Sequence, residues 1–267
     1  MRDFAYHRPA SLQDAVSLRQ GAVDGAYLAG GMTLIPTLKQ RLSQPSDLVD
    51  LGGLKDLAGV RVEGSSLVIG AMTRHAAVAA SPDVRGAIPA LAQLAGGIGD
   101  PQVRNRGTIG GSLANSDPAA DYPAAVIALG AAVRTDRREI AASDYFRDLF
   151  ETALESGELI REIAFPVPRR AAYRKFAHPA SRYAIAGVFV ADFGGGDVRV
   201  GVTGAGPCAF RAGPLEAALA GRLDPAALDQ AAIDSSRFNS DLAASAEFRA
   251  QLVRTMAKRA VADLLAA

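Results

Sequence analysis

The chain has 267 residues, a formal net charge of +1 and a single cysteine, Cys208. That length provides for one large domain or two modest ones, while the near-balanced charge argues against nucleic acid or an anionic membrane surface as the main partner. One cysteine excludes an internal disulfide, a cysteine zinc cluster and an iron–sulfur cluster held by this chain alone.

We expect a soluble, cytoplasmic protein. The N-terminus has no signal-peptide apolar stretch, and no run reaches the roughly 18 apolar residues that a membrane-spanning helix needs. The three histidines, His7, His75 and His178, are scattered without ligand spacing. We therefore interpret them as helix-cap or surface residues and predict no metal site.

The N-terminal part of the chain predicts a small α/β unit. Ser11, with Asp14 three residues later, is typical of a capped helix start. The predicted elements are strands at 4–6, 26–29 and 48–51 and helices at 12–19 and 34–42.

A second α/β unit follows. Apolar alternation from Val60 to Ile69 across Gly64 predicts a hairpin, and Thr73 is a candidate cap for the next helix. The further predicted elements are helices at 74–80, 88–95 and 119–129, a short helical segment at 144–149, and strands at 133–135, 138–141 and 159–165.

The segment Pro166–Arg170 predicts a domain boundary, because two prolines fix extended backbone and two arginines keep it in water. Beyond it, strands at 173–176, 185–193 and 198–204 predict an antiparallel sheet, followed by helices at 215–220, 225–233 and 247–265. We therefore expect an α+β protein with one domain at 1–168, divided into sub-units at about 1–56 and 57–168, and a C-terminal domain at 169–267.

Residues 96–123, GGIGDPQVRNRGTIGGSLANSDPAADYP, form the most informative stretch. Glycines and prolines interrupt it before an apolar run, which predicts a loop leading into a helix. We expect Thr108, Gly110, Gly111 and Ser112 to expose backbone N–H groups that could hold a phosphate. Glycine in a loop is more often only a turn, so this stretch alone does not establish a ligand.

A second glycine loop, AGGMTLIP at 29–36, also follows an apolar run and precedes a helical pattern, with Thr33 as a plausible N-cap. The fingerprint G-x-G-x-x-G is absent from both loops in its proper context, which disfavours a Rossmann nicotinamide site. Two such loops about eighty residues apart suggest a diphosphate ligand instead.

Three motifs in order carry a family resemblance: AGGMTLIP at 29–36, IGAMT at 69–73 and GDPQVRNRGTIGGSLANSDPAAD at 99–121. Over essentially its whole length the chain resembles the medium, FAD-binding subunit of the molybdenum hydroxylases, the family of carbon monoxide dehydrogenase and xanthine dehydrogenase. The resemblance implies a two-part FAD-binding domain of the vanillyl-alcohol-oxidase-like type. A C-terminal antiparallel sheet with a helical bundle would follow it.

The resemblance also implies a function. Substrate would be oxidised at molybdenum on a large partner subunit, electrons would cross [2Fe-2S] clusters on a small partner, and FAD on this chain would pass them to an external acceptor. The complex would be a dimer of heterotrimers. We expect FAD to be bound without a covalent link, because neither loop carries a histidine or cysteine. A free-standing flavoprotein oxidoreductase and a flavin-less scaffold remain alternatives.

The family pattern implies no catalytic residue here, and Asp121 would bond the ribityl chain of FAD. Asp117 has the alternative of a helix N-cap before Pro118. Leu159, Ile160 and Tyr183 would lie near the flavin ring and Lys175 near its polar edge, although a core tyrosine and a solvated lysine are common alternatives. The full implied set is Ala29, Gly30, Gly31, Met32, Thr33, Leu34, Thr108, Ile109, Gly110, Gly111, Ser112, Asp117, Asp121, Leu159, Ile160, Lys175 and Tyr183.

The chain departs from the usual family pattern at three positions. Met32 and Thr33 stand where Gln-Ser or His-Ser is usual, and Asn115 stands where histidine is frequent. We expect backbone phosphate contacts to survive these changes. We leave Arg104 and Arg106 outside the site, because a loop arginine is usually a surface ion pair.

Overall fold

The computed structural model describes residues 1–266, and its N-terminal unit is a three-stranded parallel sheet. The elements are β1 (Ala5–His7), α1 (Leu12–Gly21), β2 (Gly25–Leu28), α2 (Leu34–Lys39) and β3 (Asp47–Asp50). Strand β3 lies between β1 and β2. The first glycine loop therefore leaves the sheet at the carboxyl end of β2. As predicted, the Ser11 hydroxyl accepts a hydrogen bond of 3.1 Å from the Asp14 N–H at the start of α1.

Two 3₁₀ turns, Leu51–Gly53 and Lys55–Leu57, lead into the second unit, which is built on a five-stranded antiparallel sheet. In chain order its elements are β4 (Val60–Glu63), β5 (Ser66–Gly70), α3 (His75–Ala80), α4 (Pro82–Ala87), α5 (Pro89–Gly96), α6 (Pro101–Arg106), α7 (Ile109–Asn115), α8 (Tyr122–Leu129), β6 (Ala132–Thr135), β7 (Glu139–Ala141), α9 (Ala142–Tyr145), β8 (Phe146–Asp148), β9 (Glu151–Thr152) and β10 (Ile160–Pro166). The strand order in the sheet is β4-β5-β10-β6-β7, while β8 and β9 form a separate hairpin.

The C-terminal unit is a four-stranded antiparallel sheet in simple sequential order. Its elements are β11 (Arg170–Ala177), β12 (Ala184–Asp192), β13 (Val198–Thr203), β14 (Phe210–Arg211), α10 (Gly213–Ala220), a 3₁₀ turn at Pro225–Leu228 and α11 (Ala246–Ala266). All nine residues of β12 are buried, because α8 packs against one side of this sheet and α11 against the other.

Helix α8 joins the two halves of the molecule. All eight of its residues are buried, and its small side chains allow close packing on β13. A Cβ on Gly201 would lie 2.1 Å from the carbonyl oxygen of Ala124, so only glycine permits this approach. The same apolar cluster contains α8, Ile163 of β10 and Phe189 of β12. The N-terminus of α8 is therefore held firmly between the two sheets.

The predicted α+β architecture is confirmed, but several local predictions are wrong. Of the segment predicted as helical at 144–149, only residues 144 and 145 are helical, at the end of α9, because the chain turns into strand at Phe146, which pairs with Thr152. The helix predicted at 225–233 is only the 3₁₀ turn Pro225–Leu228. The Thr73 hydroxyl does not cap α3, since it exchanges hydrogen bonds with the backbone of Gly59.

Within residues 1–266, no helix has both the length and the apolar character needed to span a membrane. The stretch 96–123 is also more structured than predicted, because it contains α6 and α7 before α8 begins at Tyr122. Asp100 caps α6 by accepting a hydrogen bond from the Val103 N–H at 2.8 Å, and Thr108 caps α7 through the Gly111 N–H at 3.1 Å. Two short capped helices thus replace the expected open loop.

Candidate functional site

One cavity of about 390 Å³ lies where both glycine loops, the turn before α8 and the β11–β12 hairpin meet. Its volume is within the range of small-molecule and cofactor sites. It gathers residues from distant parts of the chain. The predicted residues that line it are Ala29, Gly30, Gly31, Met32, Thr33, Leu34, Thr108, Gly110, Gly111, Ser112, Asp117, Asp121, Leu159, Ile160 and Tyr183.

Two predicted residues do not line the cavity. Ile109 is fully buried in the core, and its N–H donates to the Thr73 carbonyl at 3.1 Å. Lys175 lies beside the cavity, with its ammonium group hydrogen-bonded to Asp121 and two backbone carbonyls. Neither side chain is therefore available to a ligand in this arrangement.

The first glycine loop offers unpaired donors. Gly31 has a φ of +73°, which favours glycine and turns the chain sharply into α2. The carbonyls of Gly31 and Thr33 accept hydrogen bonds from Ile35 and Thr37. Within residues 1–266, the N–H groups of residues 31–34 find no acceptor. Successive free N–H groups at such a turn are suited to an anion.

The second glycine loop differs from the prediction, because most of its N–H groups are already used. Gly110 donates to the Ala71 carbonyl at 2.8 Å, and Ser112 donates to the Thr108 carbonyl at 3.0 Å. Gly111 donates to the Thr108 hydroxyl as the helix cap. In the described part of the chain only the Thr108 N–H of this set lacks an acceptor. The expected row of exposed N–H groups is thus wrong for Gly110, Gly111 and Ser112, because these residues lie in the first turns of α7, a helix that the sequence did not predict.

Close backbone packing explains several of the glycines. A Cβ on Gly30 would lie 2.1 Å from the Arg106 carbonyl oxygen, and one on Gly110 would lie 2.6 Å from the Ala71 Cβ. Gly111 is different, because its nearest neighbour outside its own helix turn is the Ala29 Cβ at 3.6 Å. Gly30 and Gly110 therefore pack the two loops into the fold, whereas Gly111 leaves a bare backbone surface on the cavity wall.

The turn before α8 presents two carboxylates to the cavity, of which Asp117 is half-buried and Asp121 is buried. The Asp117 carboxylate accepts a hydrogen bond of 2.9 Å from the Ala119 N–H. Asp117 therefore closes this turn and is not the helix N-cap that the sequence offered as an alternative. Burial raises the pKa of Asp117. The C-terminal sheet holds the turn, because the Thr203 hydroxyl donates to the Ala120 carbonyl at 2.6 Å and the Gly204 N–H donates to the Pro118 carbonyl at 2.7 Å.

Asp121 is the more deeply buried of the two. Its Oδ1 accepts a hydrogen bond of 2.6 Å from the Tyr173 hydroxyl and lies 2.9 Å from the Lys175 ammonium. Burial raises the pKa of Asp121, while the Lys175 charge and the Tyr173 hydroxyl oppose that rise. A carboxylate has about four acceptor positions, so these two partners leave capacity for a ligand hydroxyl.

The β11–β12 hairpin covers the cavity with residues 181–183. Its connection is a tight turn, in which the His178 N–H donates to the Tyr183 carbonyl at 2.8 Å and Arg182 has a φ of +64°. Tyr183 is 44% exposed as a residue. Burial of the remainder, with the nearby Asp117 and Asp121 charges, raises the pKa of its hydroxyl. An amphipathic ring at the mouth of a cavity can cover a flat ligand and exclude water from it.

Sequence reasoning missed two titratable residues on the cavity wall. His75 was assigned to a cap or the surface, yet it is 5% exposed, and burial followed by the Arg104 charge lowers its pKa to about 4. Glu158 is fully buried at its side chain. Burial alone would raise its pKa, but hydrogen bonds from Arg138, the Glu155 N–H and Thr135 lower it to about 2.

Glu158 helps to hold the part of the cavity wall that Leu159 and Ile160 form. Its carboxylate accepts hydrogen bonds of 2.8 to 3.0 Å from Arg138 and Thr135. Asp136 fixes the next residue, accepting from the Leu159 N–H at 2.7 Å and donating its own N–H to the Leu159 carbonyl at 2.9 Å. No local pattern marks these contacts in the sequence, because each joins residues that are far apart along the chain.

The donor set suits FAD. Free N–H groups at one loop can meet phosphate charge, the buried Asp121 can accept a hydroxyl, and Leu159, Ile160 and Tyr183 supply apolar surface for an aromatic ring. Met32 and Asn115, two of the departures from the family pattern, also line the cavity. Both leave the free backbone donors of residues 31–34 in place.

Two sequence profiles cover nearly the whole chain. The profile described as the FAD binding domain in molybdopterin dehydrogenase matches residues 2–168, and the one described as the CO dehydrogenase flavoprotein C-terminal domain matches residues 171–264. Among characterised relatives, the chain is 39% identical to the carbon monoxide dehydrogenase medium chain of Afipia carboxidovorans, covering 97% of this chain and 95% of that one. It is 35% identical to the nicotine 6-hydroxylase medium subunit of Paenarthrobacter nicotinovorans, covering 97% and 96%.

Solved structures show the same likeness. A chain of Cu,Mo-CO dehydrogenase in its cyanide-inactivated form superimposes with a TM-score of 0.92 at 39% identity, over 98% of both chains. A chain of quinoline 2-oxidoreductase from Pseudomonas putida 86 does so with a TM-score of 0.89 at 27% identity, over 98% and 97%. The predicted family is thereby confirmed, and the chain belongs to the FAD-binding medium subunits of the molybdenum hydroxylases, a family of oxidoreductase subunits.

Proposed function

We propose that this chain is the electron-transfer subunit of a molybdenum hydroxylase complex. In that complex it would receive electrons from iron–sulfur clusters on a partner subunit and deliver them, through FAD, to an external acceptor. The observation that carries the proposal is the cavity in which both glycine loops meet the buried Asp121. FAD, when bound, supplies a ring that accepts and releases electrons.

Different residues of the cavity would bind different parts of FAD. The free N–H groups of residues 31–34 and of Thr108 would hold the diphosphate, and Asp121 would accept hydrogen bonds from the ribityl chain. Leu159, Ile160 and Tyr183 would enclose the ring and limit its contact with water. The link to FAD would be non-covalent, because neither glycine loop carries a histidine or cysteine, and His75 on the cavity wall is only 5% exposed.

The redox centres that feed the flavin would be on other chains. Two iron–sulfur clusters demand about eight ligands, mostly cysteines, and this chain has only Cys208. We therefore propose a small partner with [2Fe-2S] clusters. Membership of the family supports, in addition, a large partner with the molybdenum cofactor and a dimer of such heterotrimers. Within this chain the proposed domains are 1–168, with sub-units at about 1–56 and 57–168, and 169–267.

The proposal is tested by purifying the chain alone and together with its partners. Alone, it should show a flavin spectrum without iron or molybdenum, be reduced by dithionite, and oxidise no candidate substrate. Adding a cysteine-rich and a large partner should restore substrate-dependent bleaching of the flavin. Substrate oxidation by the isolated chain at the rate of the complex would support a free-standing flavoprotein instead, and absence of FAD binding would support a scaffold.

A further inference from the structure

The ammonium group of Lys175 is fully engaged beside the cavity. Its Nζ donates to the Gly97 carbonyl at 2.9 Å and to the Arg182 carbonyl at 3.1 Å, and it lies 2.9 Å from Asp121 Oδ1. An ammonium has three N–H donors, so these contacts use all of them. Because the side chain is only 13% exposed, water cannot easily replace them.

The two carbonyls determine where the charge lies. Gly97 follows α5 in the FAD-binding half, whereas Arg182 is in the hairpin that covers the cavity. Held between them, the ammonium faces the Asp121 carboxylate and does not line the cavity itself. Lys175 therefore reaches the cavity through two neighbours that line it, Asp121 and the Arg182 backbone. Of these two contacts, only the Asp121 carboxylate carries a charge opposite to that of the ammonium.

The charge state of the Asp121 carboxylate depends on the Lys175 ammonium. It is 5% exposed, and burial of an unpaired carboxylate favours its neutral form. Both of its polar partners, Lys175 and the Tyr173 hydroxyl, come from β11 of the C-terminal domain. One strand of that domain thus sets the charge and the orientation of a carboxylate that belongs to the FAD-binding domain.

We propose that Lys175 is a positioning residue that keeps Asp121 ionised and oriented for the ribityl chain, so that cofactor affinity depends on a charge outside the cavity. The inference depends on the proposed function, in which FAD is the ligand. It assigns Lys175 a role different from direct contact with the flavin ring.

Other titratable groups near Asp121 behave differently. Asp117 precedes it in the same turn, Tyr122 follows it on α8, Tyr173 is on β11 and Tyr183 is on the hairpin. Burial raises the pKa of all three tyrosines above its ordinary value, so none of them ionises near neutral pH. Two other carboxylates line the cavity: Glu158, where burial is outweighed by hydrogen bonds that lower its pKa to about 2, so that it stays ionised from pH 6 to 8.5, and Asp117, whose pKa is raised by burial. An Asp121→Asn background keeps both and so separates their titration from that of Asp121.

The test is the dissociation constant for FAD of the full chain, measured by flavin fluorescence from pH 6 to 8.5. Lys175→Met should weaken binding roughly ten-fold at pH 7, as expected for the loss of a charged hydrogen-bond partner. Its affinity should recover as the pH rises, because a carboxylate without its lysine ionises only at higher pH. The original chain should show a flat profile over the same range.

Three further variants exclude a general loss of structure. Lys175→Arg retains the charge and should retain the flat profile, even where its planar group binds less well. In the Asp121→Asn background, which has no carboxylate to ionise, adding Lys175→Met should cause no further loss and no pH dependence. Lys258→Met, which removes an exposed partner of Asp229, should leave affinity unchanged.

Unchanged FAD affinity in Lys175→Met, or an equal loss with and without the Asp121 carboxylate, would overturn the inference while leaving the proposed function intact. Should Lys175→Met fail to fold, the double variant Asp121→Asn with Lys175→Met, which has neither buried charge, decides by comparison with Asp121→Asn, in which Lys175 keeps its two carbonyl partners. If the original chain itself bound no FAD, the proposed function would fall, and this inference with it.

Discussion

Gly30 packs directly on the carbonyl oxygen of Arg106, since a Cβ at Gly30 would lie 2.1 Å from that oxygen. This contact joins the first glycine loop to the end of α6, just before the second loop begins. The two loops are therefore parts of one wall. The two loops can lie this close together because Gly30 has no side chain to collide with the Arg106 carbonyl.

We expect Gly30→Ala to destabilise the fold by at least about 2 kcal/mol, because the new methyl group meets backbone that cannot move aside. Chemical denaturation of the cofactor-free chain measures this free energy of unfolding. Gly86→Ala is the matched control, since nothing lies within 4 Å of a Cβ there and alanine favours a helix interior by up to about 1 kcal/mol. Equal stabilities of the two variants would contradict the packing argument.

Gly110 and Gly111 should separate packing from ligand approach. Gly110→Ala should reduce stability, because its Cβ would lie 2.6 Å from the Ala71 Cβ. Gly111→Ala should change stability less, since only the Thr108 hydroxyl at 3.0 Å must shift slightly. It should nevertheless weaken FAD binding, because the methyl group would enter the cavity. Titration with FAD beside a denaturation curve tests both, and the reverse pattern would remove Gly111 from the site.

Asp121→Ala should weaken FAD affinity roughly ten- to a hundred-fold, which corresponds to the roughly 1.5 to 3 kcal/mol of a hydrogen bond to a charged acceptor. Asp263→Ala, which removes an exposed partner of Arg174, is the control and should bind FAD normally. An unchanged dissociation constant in a folded Asp121→Ala chain would show that this carboxylate does not contact the ligand.

Glu158 should contribute a pH-dependent part of the stability. Its folded-state pKa of about 2 lies below the ordinary 4.5, so its stabilisation is present above pH 4.5 and is lost as the pH falls towards 2. Glu158→Gln should therefore lower the free energy of unfolding by about 2 kcal/mol at neutral pH. That deficit should shrink below pH 4.5. The exposed Glu139→Gln should show little change at any pH, and a Glu158→Gln deficit independent of pH would contradict the assignment.

Local sequence patterns were enough to predict the two glycine loops and most of the helices and strands. Glycine turns after apolar runs marked both walls of the cavity, and the Ser11 cap was visible because its partner is three residues away. The start of α7 was missed, because the Thr108 cap closes a turn within a glycine-rich stretch that reads as loop. Likewise, Phe146 looked helical until its pairing with Thr152 is known.

The electrostatics of the cavity could not be read from the sequence. Lys175 and Asp121 are 54 residues apart, and their contact depends on how β11 packs beside α5 while β12 and β13 pack on α8. His75 is buried on the cavity wall because Gly107, on another helix connection, leaves room for its ring. The Lys175–Asp121 contact and the burial of His75 both arise from tertiary packing, so the spacing of residues along the chain does not predict them.

The most direct test of the central claim is the stoichiometry and specificity of flavin binding to the purified chain. Titration should show equimolar FAD binding, with FMN much weaker because it lacks the second phosphate and the adenosine. Acid precipitation should then leave the yellow colour in the supernatant, as a non-covalent link requires. Failure to bind FAD, or an affinity for FMN equal to that for FAD, would contradict the assignment of this cavity to an FAD diphosphate.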